Sequence, residues 1–372
     1  MWCFFSYVCV YVILSRYYLR ILIRSDNYNM TIFRLFSLLL ENRDNDIVKS
    51  VLEKKLLKIP TYKFINILPQ IIPHISNASN DVFSQTVNSL IEKCAEDHPY
   101  HTLPLILALA LSNKDREYSS ESKAAVNDTR TQTAAAILTK LKEHRKLSKL
   151  IEKMEFVSEA VIALAYYQGN GDRSSYKVPA NSKIRKIQNW GEILLPTVIL
   201  PVDKSCTYER ITGIHKFNDV YHNVGGINAP KRITCVGTDG ITRSQLIKGQ
   251  DDLRQDAVMQ QVFTIMNSLL TVNKQTKNLR IRTYKIVPLS MRSGILEWVE
   301  NTMPIGEYLI GEGSDGGAHS KFRPMDKRPI SCRNEFKVSH ALFKPRLIGF
   351  CRTLLINRTK EDCVLLIKYA SP

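Results

Sequence analysis

Residues 247–262 read IKGQDDLRQDAVMQQV, and this stretch holds the change from strand to helix that decides the fold. A strand ends at Lys248, and Gly249 follows as a breaker. Asp251 and Asp252 then stand at the start of a helix, where carboxylates accept free amide hydrogens and meet the positive end of the helix dipole. The stretch therefore predicts a lysine at a strand end, shortly before a helix.

The predicted helix has one apolar face. Its apolar residues recur at spacings of three and four, so we expect this set to face the core: Val258, Val262, Ile265, Met266 and Leu269. A kinase-type nucleotide site needs a cation for the phosphates and a carboxylate that orients the cation. Lys248, the two aspartates at the helix start and Asp256 within the helix supply these groups.

Composition limits the class of protein. The chain has 372 residues, 44% of them hydrophobic, which suffices for two or three domains with a large core. Lys and Arg total 52 against 35 Asp and Glu, and the net charge of +17 favours an acidic partner such as a nucleotide, a nucleic acid or a membrane surface. The eight cysteines include no CxxC pair, which disfavours a disulfide framework or a ribbon-type zinc site and favours a reducing compartment.

The N-terminus is apolar. Residues 2–14 (WCFFSYVCVYVIL) carry no charge, and Arg16, Arg20 and Arg24 follow the run, whereas a signal peptide has its basic residues before it. The arginines also interrupt the apolar stretch, which disfavours a membrane span. We expect a buried helix or an incorrectly assigned start within residues 1–29, with a membrane anchor as the alternative.

Residues 30–165 show a succession of amphipathic helical patterns. The breaks between them are Asn, Asp, Pro or Ser, and no fixed period recurs, which is typical of an all-α helical-repeat layer. The predicted helical segments are 31–42, 46–59, 62–75, 82–97, 101–111 and 133–167, the last as one long helix or a pair. The polar residues 115–133 are predicted to form a flexible connection.

Two features of the helical part have a second interpretation. Cys94, His98 and His101 have spacings compatible with zinc, but a fourth ligand is not near in the sequence, so polar capping of a helix end is preferred. Residues 140–153 alternate basic residues with Leu, Ile and Glu. This run predicts a solvated helix face, with nucleic-acid contact as the alternative.

A sheet is predicted after the glycines near residue 170. Residues 186–203 (KIQNWGEILLPTVILPVD) place β-branched residues between prolines and indicate a strand. Residues 231–236 and 241–248 predict a hairpin whose turn is Gly237, Thr238, Asp239 and Gly240. Such a turn alone is usually structural, but a hairpin, a lysine and a helix in succession are typical of a kinase small lobe.

Two more strands are predicted downstream. Residues 279–290 alternate in hydrophobicity, and residues 292–300 end in Glu297, Trp298 and Val299. A flat indole and neighbouring backbone groups suit an adenine ring. A core aromatic is the alternative interpretation of Trp298.

These segments together resemble the phosphatidylinositol-3-kinase-related protein kinases. The specific motifs are DDLRQDAVMQQVF at 251–263, TYKIVPLSMRSGILEWVE at 283–300, MPIGEYL at 303–309 and DGGAHSKFRP at 315–324. Three further segments resemble the helical FAT domain and the start of the kinase domain of this family: IPTYKF at 59–64, HPYHTLPLILALA at 98–110 and GGINAPK at 225–231. The resemblance covers roughly residues 30–324.

The resemblance implies an α+β fold that lacks the kinase large lobe. Residues 30–187 would be the C-terminal part of the FAT domain, residues 188–332 a small lobe with an antiparallel sheet and a helix, and residues 333–372 a tail that does not match the family. The family's catalytic segment GDRHxxN does not occur in the sequence, and the DxG match at 315–317 lies in a polar stretch. We therefore expect a truncated or misassembled product without catalytic or metal-binding residues, inactive alone; a divergent ending is the alternative.

The resemblance also implies roles for single residues. Lys248 would bind the ATP phosphates, with Asp251 as its acidic partner and Asp256 at the back of the pocket. The turn that begins at Val236 and continues through residues 237–242 would cover the phosphates. Tyr284 would line the inner adenine pocket, and the hinge would consist of Leu296, Glu297, Trp298 and Val299.

The function implied for the complete protein is phosphorylation of Ser or Thr, preferably before Gln, with ATP and Mg2+ as cofactors. The family resemblance further implies signalling of DNA double-strand breaks in the nucleus by a homodimer that a break-sensor complex recruits. Direct contact with DNA stays open, and a membrane partner is not expected. A lipid kinase of the same superfamily and a non-catalytic interaction module are the alternatives.

Overall fold

The computed structural model describes residues 2–26, 30–45, 55–77, 81–118, 129–169, 175–225, 228–311, 317–326, 331 and 334–335, with side chains from residue 13 onward. The chain divides into two compact units, Met1–Trp298 and Val299–Pro372. The first unit contains helices as well as the sheet, in agreement with the predicted α+β class. The predicted domain boundaries after residues 29, 187 and 332 stay predictions.

The described helical part of the first unit contains several helices that match predicted segments. The helices are α1 (Trp2–Arg24), α2 (Thr31–Glu41), α3 (Leu68–Ile71), α4 (Val82–Asp97), α5 (Pro99–Ala110), α6 (Thr129–Leu141) and α7 (Arg145–Tyr166). Helix α4 begins after Asp81, whose carboxylate accepts the amides of Phe83 at 3.1 Å and Ser84 at 3.2 Å, the usual stabilisation of a helix start. Residues 133–167 form the predicted pair of helices rather than one.

Residues 62–75 differ from the predicted helix. They form 3-10 turns at Thr61–Lys63, Ile65–Ile67 and Ile72–His74 around the short α3. Pro69 and Pro73 lack an amide hydrogen, and a proline ring inside a helix clashes with the preceding turn, so the two prolines disfavour a continuous α-helix here. Of the predicted segment 46–59, residues 46–54 lie outside the described residues, and Leu56–Lys58 form a 3-10 turn.

The predicted flexible connection at residues 115–133 is wrong at both ends. Its first residues belong to a 3-10 turn at Lys114–Glu117, in which the Asp115 side chain is buried. Its last residues are the first turn of α6, which starts at Thr129. Polar composition alone suggested a solvated loop, but a buried carboxylate needs hydrogen-bond partners elsewhere in the fold.

Helix α1 is anchored to the helical part by a buried lysine. The Lys63 side chain is 1% exposed, and its Nζ donates to the carbonyl oxygens of Leu22 at 2.6 Å and Ser25 at 2.5 Å. Leu19 and Leu22 are buried in the core, so this half of the helix packs as predicted. Among the described residues, no helix is long and apolar enough to cross a membrane; the side chains of residues 2–12 lie outside the description.

The strands form one antiparallel sheet, as predicted. They are β1 (Ser175–Lys177), β2 (Gln188–Leu194), β3 (Gly213–Asn223), β4 (Lys231–Gly237), β5 (Thr242–Lys248), β6 (Ile286–Pro288) and β7 (Gly294–Glu297). Their order is β1-β3-β4-β5-β7-β6, with β2 also paired to β3. The predicted hairpin is confirmed as β4 and β5.

Of the strand predicted at residues 279–290, only β6 (Ile286–Pro288) forms. The reason is visible at Asn267, whose side-chain amide donates to the Ile281 carbonyl at 2.7 Å and whose oxygen accepts the Ile281 amide at 2.8 Å. A side chain thus takes the backbone hydrogen bonds that a neighbouring strand would supply. The alternating pattern did not reveal this competing partner.

Helix α8 (Leu253–Val272) does not bury its predicted face. Leu253 is its only buried side chain in the described structure, and it packs with Ile286 and Leu296 in a small cluster. The predicted inward residues are half-exposed at Ile265 and 40% to 59% exposed at Val258, Val262, Met266 and Leu269. The prediction is wrong here because α8 packs mainly against β6, and three residues of strand cannot cover a 20-residue helix.

The second unit has two short helices among its described residues. They are α9 (Ile305–Ile310) and α10 (Ala318–Phe322), and neither contains a buried residue. The Gly317 amide donates to the Ile310 carbonyl at 2.7 Å, which joins the end of α9 to the start of α10.

Candidate functional site

Lys248 and Asp251 form the centre of the candidate site. Lys248 ends β5 opposite Gly294 of β7, and its Nζ lies 3.0 Å from Asp251 Oδ2. The two side chains are 25% and 37% exposed, so the cation is held by a carboxylate and also reaches solvent. The predicted lysine and its acidic partner are therefore brought together.

The other acidic residues of this segment have different roles. Asp252 caps α8, because its Oδ1 accepts the Arg254 amide at 3.1 Å, and the Arg254 guanidinium holds the pKa of this carboxyl below its usual range. Asp256 lies exposed on the first turn of α8. Asp256 makes no ion pair in the described structure, so the ammonium group of Lys248 is oriented by Asp251 rather than by the helix carboxylate.

The turn between β5 and α8 is held in an unusual backbone conformation. Gln250 has φ +57°, in the left-handed region that non-glycine residues rarely occupy. Its amide faces the Tyr166 hydroxyl at 3.4 Å, and its carbonyl accepts from Arg292 Nη2 at 3.3 Å and Asn228 Nδ2 at 3.4 Å. Strained conformations persist when several contacts fix them, as these do.

Of the predicted hinge, Leu296 and Glu297 lie on the neighbouring strand β7, which ends before Trp298. Leu246 pairs with Leu296 and Gln245 with Glu297, and the Trp298 amide donates to the Ser244 carbonyl at 3.1 Å. Leu296 is buried in the small cluster with Leu253 and Ile286, and Tyr284 packs against the same cluster. Leu296 and Tyr284 thus form one apolar wall beside the strand that carries Lys248.

Trp298 is neither a core residue nor free of neighbours. Its side chain is half-buried, and the Arg232 guanidinium lies 4.7 Å from the ring centroid. The adjacent Glu297 carboxylate accepts the Lys285 amide at 3.0 Å. Val299 is the first residue of the second unit, and its carbonyl accepts from the Thr302 hydroxyl at 2.9 Å.

The register sets the backbone distance between Lys248 and Trp298. Trp298 stands at the level of Ser244, four residues before Lys248 on β5. At roughly 3.3 Å per residue this is about 13 Å. An extended nucleotide with its base at Trp298 would place its phosphates near Lys248.

The turn between β4 and β5 is not brought to Lys248. β5 runs from Thr242 to Lys248, so the turn lies at the opposite end of the strand, about 20 Å away. The predicted role of Val236, Gly237, Thr238, Asp239 and Gly240 in covering the phosphates therefore disagrees with the structure. The prediction relied on closeness in sequence, but the two ends of a seven-residue strand lie far apart in space.

Internal hydrogen bonds occupy this turn. The Gly237 amide donates to Ile241 O and the Gly240 amide to Gly237 O, both at 3.0 Å. The Asp239 carboxylate accepts from Arg243 Nη2 at 2.6 Å, and this bond lowers the pKa of Asp239 to about 2. Gly240 has φ +75°, a conformation that glycine adopts freely. The turn is structural, the alternative that the sequence had left open.

The connection between β3 and β4 lies at the lysine end instead. Asn223 pairs with Lys231, and Asn228 reaches across to the Gln250 carbonyl. Sequence reasoning missed Asn228 and Lys231 as site neighbours; the signal was GGINAP, two glycines and a proline between two strands.

Lys231 is a buried structural lysine. Its side chain is buried, and its Nζ donates to the Ala165 carbonyl at the end of α7 at 2.7 Å. Burial lowers the pKa of Lys231 to about 8. Gly249 also lies against this helix end, since a Cβ on it would be 3.2 Å from the Ala165 oxygen.

The His98 region is a hydrogen-bonded cluster rather than a metal site. His98 is fully buried; its Nδ1 lies 2.5 Å from the Tyr208 hydroxyl and its Nε2 3.2 Å from the Thr61 hydroxyl. His101 Nε2 lies 3.0 Å from the Leu200 carbonyl, and burial lowers the pKa of both histidines. In the described part of the chain, no group of three metal-binding side chains occurs.

Three of the six lysines and arginines at residues 140–153 are paired with acidic side chains. Lys140 Nζ lies 2.6 Å from Glu92, Lys142 Nζ lies 2.9 Å from Glu155, and Lys153 pairs with Glu192. These pairs reduce the charge that a nucleic acid would meet. The solvated helix face remains the better interpretation.

Comparison with known proteins shows that the region around Lys248 is similar to a kinase family. The family model for phosphatidylinositol 3- and 4-kinase matches residues 244–346, a range that extends beyond residue 332 into the predicted tail. Serine-protein kinase ATM of Sus scrofa is 38% identical over 340 residues, which cover 86% of this chain and 11% of that protein. The tel1 serine/threonine-protein kinase of Schizosaccharomyces pombe is 33% identical over 326 residues, covering 85% and 11%.

A solved structure agrees with these sequence relatives. The FAT and kinase domain of CtTel1 is 31% identical with a TM-score of 0.72, and the match covers 87% of this chain and 22% of that structure. The chain spans about a tenth of the length of these curated relatives, 11% of each.

Proposed function

We propose that this chain, a member of the phosphatidylinositol 3- and 4-kinase family with the ATM and Tel1 kinases as relatives, supplies the helical support and the ATP-binding small lobe of a serine/threonine-protein kinase. The names of the relatives support a protein substrate over a lipid. The named kinase activity belongs to relatives that are about eight times as long as this chain, so kinase activity is part of the proposal.

The observation that carries the proposal is the arrangement on β5 and β7. Lys248 presents a cation that Asp251 orients at 3.0 Å, and the backbone of Trp298 lies at the level of Ser244, about 13 Å from Lys248 along the strand. A lysine point charge suits phosphate, and an indole face suits a purine. ATP therefore fits the residues present.

A site of comparable quality for Mg2+ does not occur among the described residues. The described residues contain no group of three metal-binding side chains, so we assign no ligand to the metal and no chemical step to it. The contribution of these residues is to bind and orient the nucleotide.

The proposal extends to the biological setting of the relatives. It includes phosphorylation of Ser or Thr before Gln in signalling of DNA double-strand breaks, in the nucleus, with a break-sensor complex as recruiter. A homodimer is supported by a similar structure, that of the complete CtTel1 dimer with C2 symmetry. The net charge of +17 is compatible with direct DNA contact.

The decisive experiment measures ATP binding by calorimetry in three proteins. Lys248→Met removes the phosphate-binding cation, and Lys216→Met removes an exposed lysine of β3 as the matched control. Hydrogen bonds to charged groups are worth about 1.5–3 kcal/mol, so Lys248→Met should weaken binding about tenfold or more. The control should bind as the unchanged chain does, and both variants should keep its melting temperature.

Equal affinity of the Lys248→Met variant and the unchanged chain would remove Lys248 from the site. Absence of ATP binding by the folded, unchanged chain would overturn the proposed function of this chain.

A further inference from the structure

A buried carboxylate of the helical part has no role in the function proposed above. Asp115 lies in the 3-10 turn Lys114–Glu117 that follows α5, and it is 2% exposed. A buried carboxylate is costly unless hydrogen bonds satisfy its oxygens. Its partners therefore show what the residue is for.

Both oxygens of Asp115 bind the turn between β6 and β7. The Ser290 hydroxyl donates to Oδ1 at 2.8 Å, and the Arg292 amide donates to Oδ2 at 2.9 Å. Ser290 and Ser293 are buried, and their hydroxyls bond to each other. Asp115 thus fixes the backbone of this turn from the helical side.

The same turn holds the segment that carries the site. The Arg292 carbonyl accepts the Asp251 amide at 3.0 Å, and Arg292 Nη2 donates to the Gln250 carbonyl at 3.3 Å. Arg292 therefore binds Asp115 through its amide and the residues after Lys248 through its other groups. The chain of contacts runs from the helical part to the acidic partner of the lysine.

Tyr166 at the end of α7 adds a second contact from the helical side. Its hydroxyl lies 3.4 Å from the Gln250 amide. Burial raises the pKa of Tyr166 to about 12, and the nearby Asp115 carboxylate adds to the effect. Gln250, with its left-handed backbone, is thus held from both α7 and the β6–β7 turn.

We propose that Asp115 is a positioning residue: through Arg292 it holds residues 248–251 in the conformation in which Asp251 orients Lys248. The part of this inference that concerns nucleotide affinity rests on the proposed ATP site. Its consequence is that the helical part sets the affinity for ATP without touching the nucleotide. By linkage, bound ATP stabilises the docking of Asp115 on the β6–β7 turn to the same extent.

The first test needs no nucleotide. Asp115→Asn keeps the size of the side chain but removes its negative charge, so its hydrogen bonds to the β6–β7 turn become weaker. Amide hydrogen exchange at Asp251 should become about tenfold faster, because its acceptor is no longer fixed. Asp81→Ala, which removes the cap of α4, is the control that loosens the helical part elsewhere and should leave this amide unchanged.

The second test measures the affinity for ATP in the same proteins. Asp115→Asn should weaken binding about three- to tenfold, in the range of ordinary coupling between sites. Asp81→Ala should leave the affinity unchanged even where it lowers the melting temperature. A merely structural aspartate would lower the melting temperature without this effect on affinity.

The two tests separate the positioning role from the proposed function. Unchanged exchange at Asp251 in a folded Asp115→Asn variant overturns the positioning role, and so does unchanged ATP affinity. A wild-type chain that binds no ATP removes the proposed function, whereas the exchange rate still decides whether Asp115 holds the turn. Where Asp115→Asn does not fold, Ser290→Ala removes a single bond to the carboxylate and is measured in the same way.

Discussion

Helices α7 and α8 have similar lengths, 22 and 20 residues, but opposite surroundings. Helix α7 has buried residues along its whole length, from Leu147 to Ala165, because α5, α6 and the strands β2, β5 and β7 pack around it. Helix α8 has Leu253 as its one buried residue within the described structure. Apolar periodicity shows which face of a helix is apolar, but it does not show whether anything covers that face.

The largest expected effect contrasts two truncations, one on each helix. Ile151 of α7 is 0% exposed, whereas Val262 of α8 is 40% exposed. Ile151→Ala leaves a cavity and should lower the free energy of unfolding by about 3 kcal/mol, while Val262→Ala should change it by no more than about 0.5 kcal/mol. Urea denaturation followed by circular dichroism measures both.

The contrast between α7 and α8 is contradicted if Val262→Ala lowers the free energy of unfolding as much as Ile151→Ala does. That result would mean that α8 is covered in solution. Val161→Ala, at a second buried position of α7 that is 1% exposed, tests whether the loss is general along α7.

A smaller effect concerns the contact that fixes the end of α7 to the sheet. Burial lowers the pKa of Lys231 from 10.5 to about 8, so between these values the unfolded chain binds a proton that the folded chain does not. The free energy of unfolding should therefore rise with pH across this window. The bond to Ala165 favours the charged lysine and opposes part of the shift, which leaves a gain of about 1 kcal/mol between pH 7.5 and 9.5.

The matched measurement compares the unchanged chain with Lys231→Met by urea denaturation at both pH values. Tyrosines and cysteines that also titrate contribute equally to the two proteins. A stability difference that does not change with pH would show that Lys231 is charged and well solvated in the folded state.

The smallest expected effect tests the exposed face of α8 directly. Met266 is 43% exposed, so Met266→Lys should change the free energy of unfolding by less than about 0.5 kcal/mol. Met154→Lys is the counterpart on α7, where the side chain is 7% exposed and an unpaired charge should be strongly destabilising. Thermal melts of the two variants should differ clearly; similar melting temperatures would contradict the contrast between the helices.

Local sequence signals predicted the secondary structure correctly where no distant residue competed with them. The segments at 31–42 and 82–97 became helices, and residues 231–248 became the hairpin, because periodicity, a capping aspartate and a glycine turn all favoured one structure. The helix predicted at residues 62–75 was wrong because its prolines change the backbone hydrogen bonding. The strand predicted at residues 279–285 was wrong because the Asn267 side chain takes the backbone hydrogen bonds of Ile281. Whether the apolar face of a helix such as α8 is buried was not predictable, since burial depends on elements that are distant in sequence.

The candidate site divides in the same way. Lys248, Asp251 and the hinge strand were predictable because they lie within short specific motifs. The β4–β5 turn was assigned to the wrong end of β5, which needed the sheet register to correct. Asp115 was assigned to a loop, because its partner Ser290 lies 175 residues away in sequence and no local pattern connects them.

That separation has a consequence for synthesis of the chain on the ribosome. The helical part emerges first, and Asp115 then has no Ser290 or Arg292 to bind, because they follow 175 and 177 residues later. Its carboxylate must stay hydrated until they are made, since burial without partners is costly. The helical part can therefore form early, but this contact with the sheet can form only after the β6–β7 turn has left the ribosome.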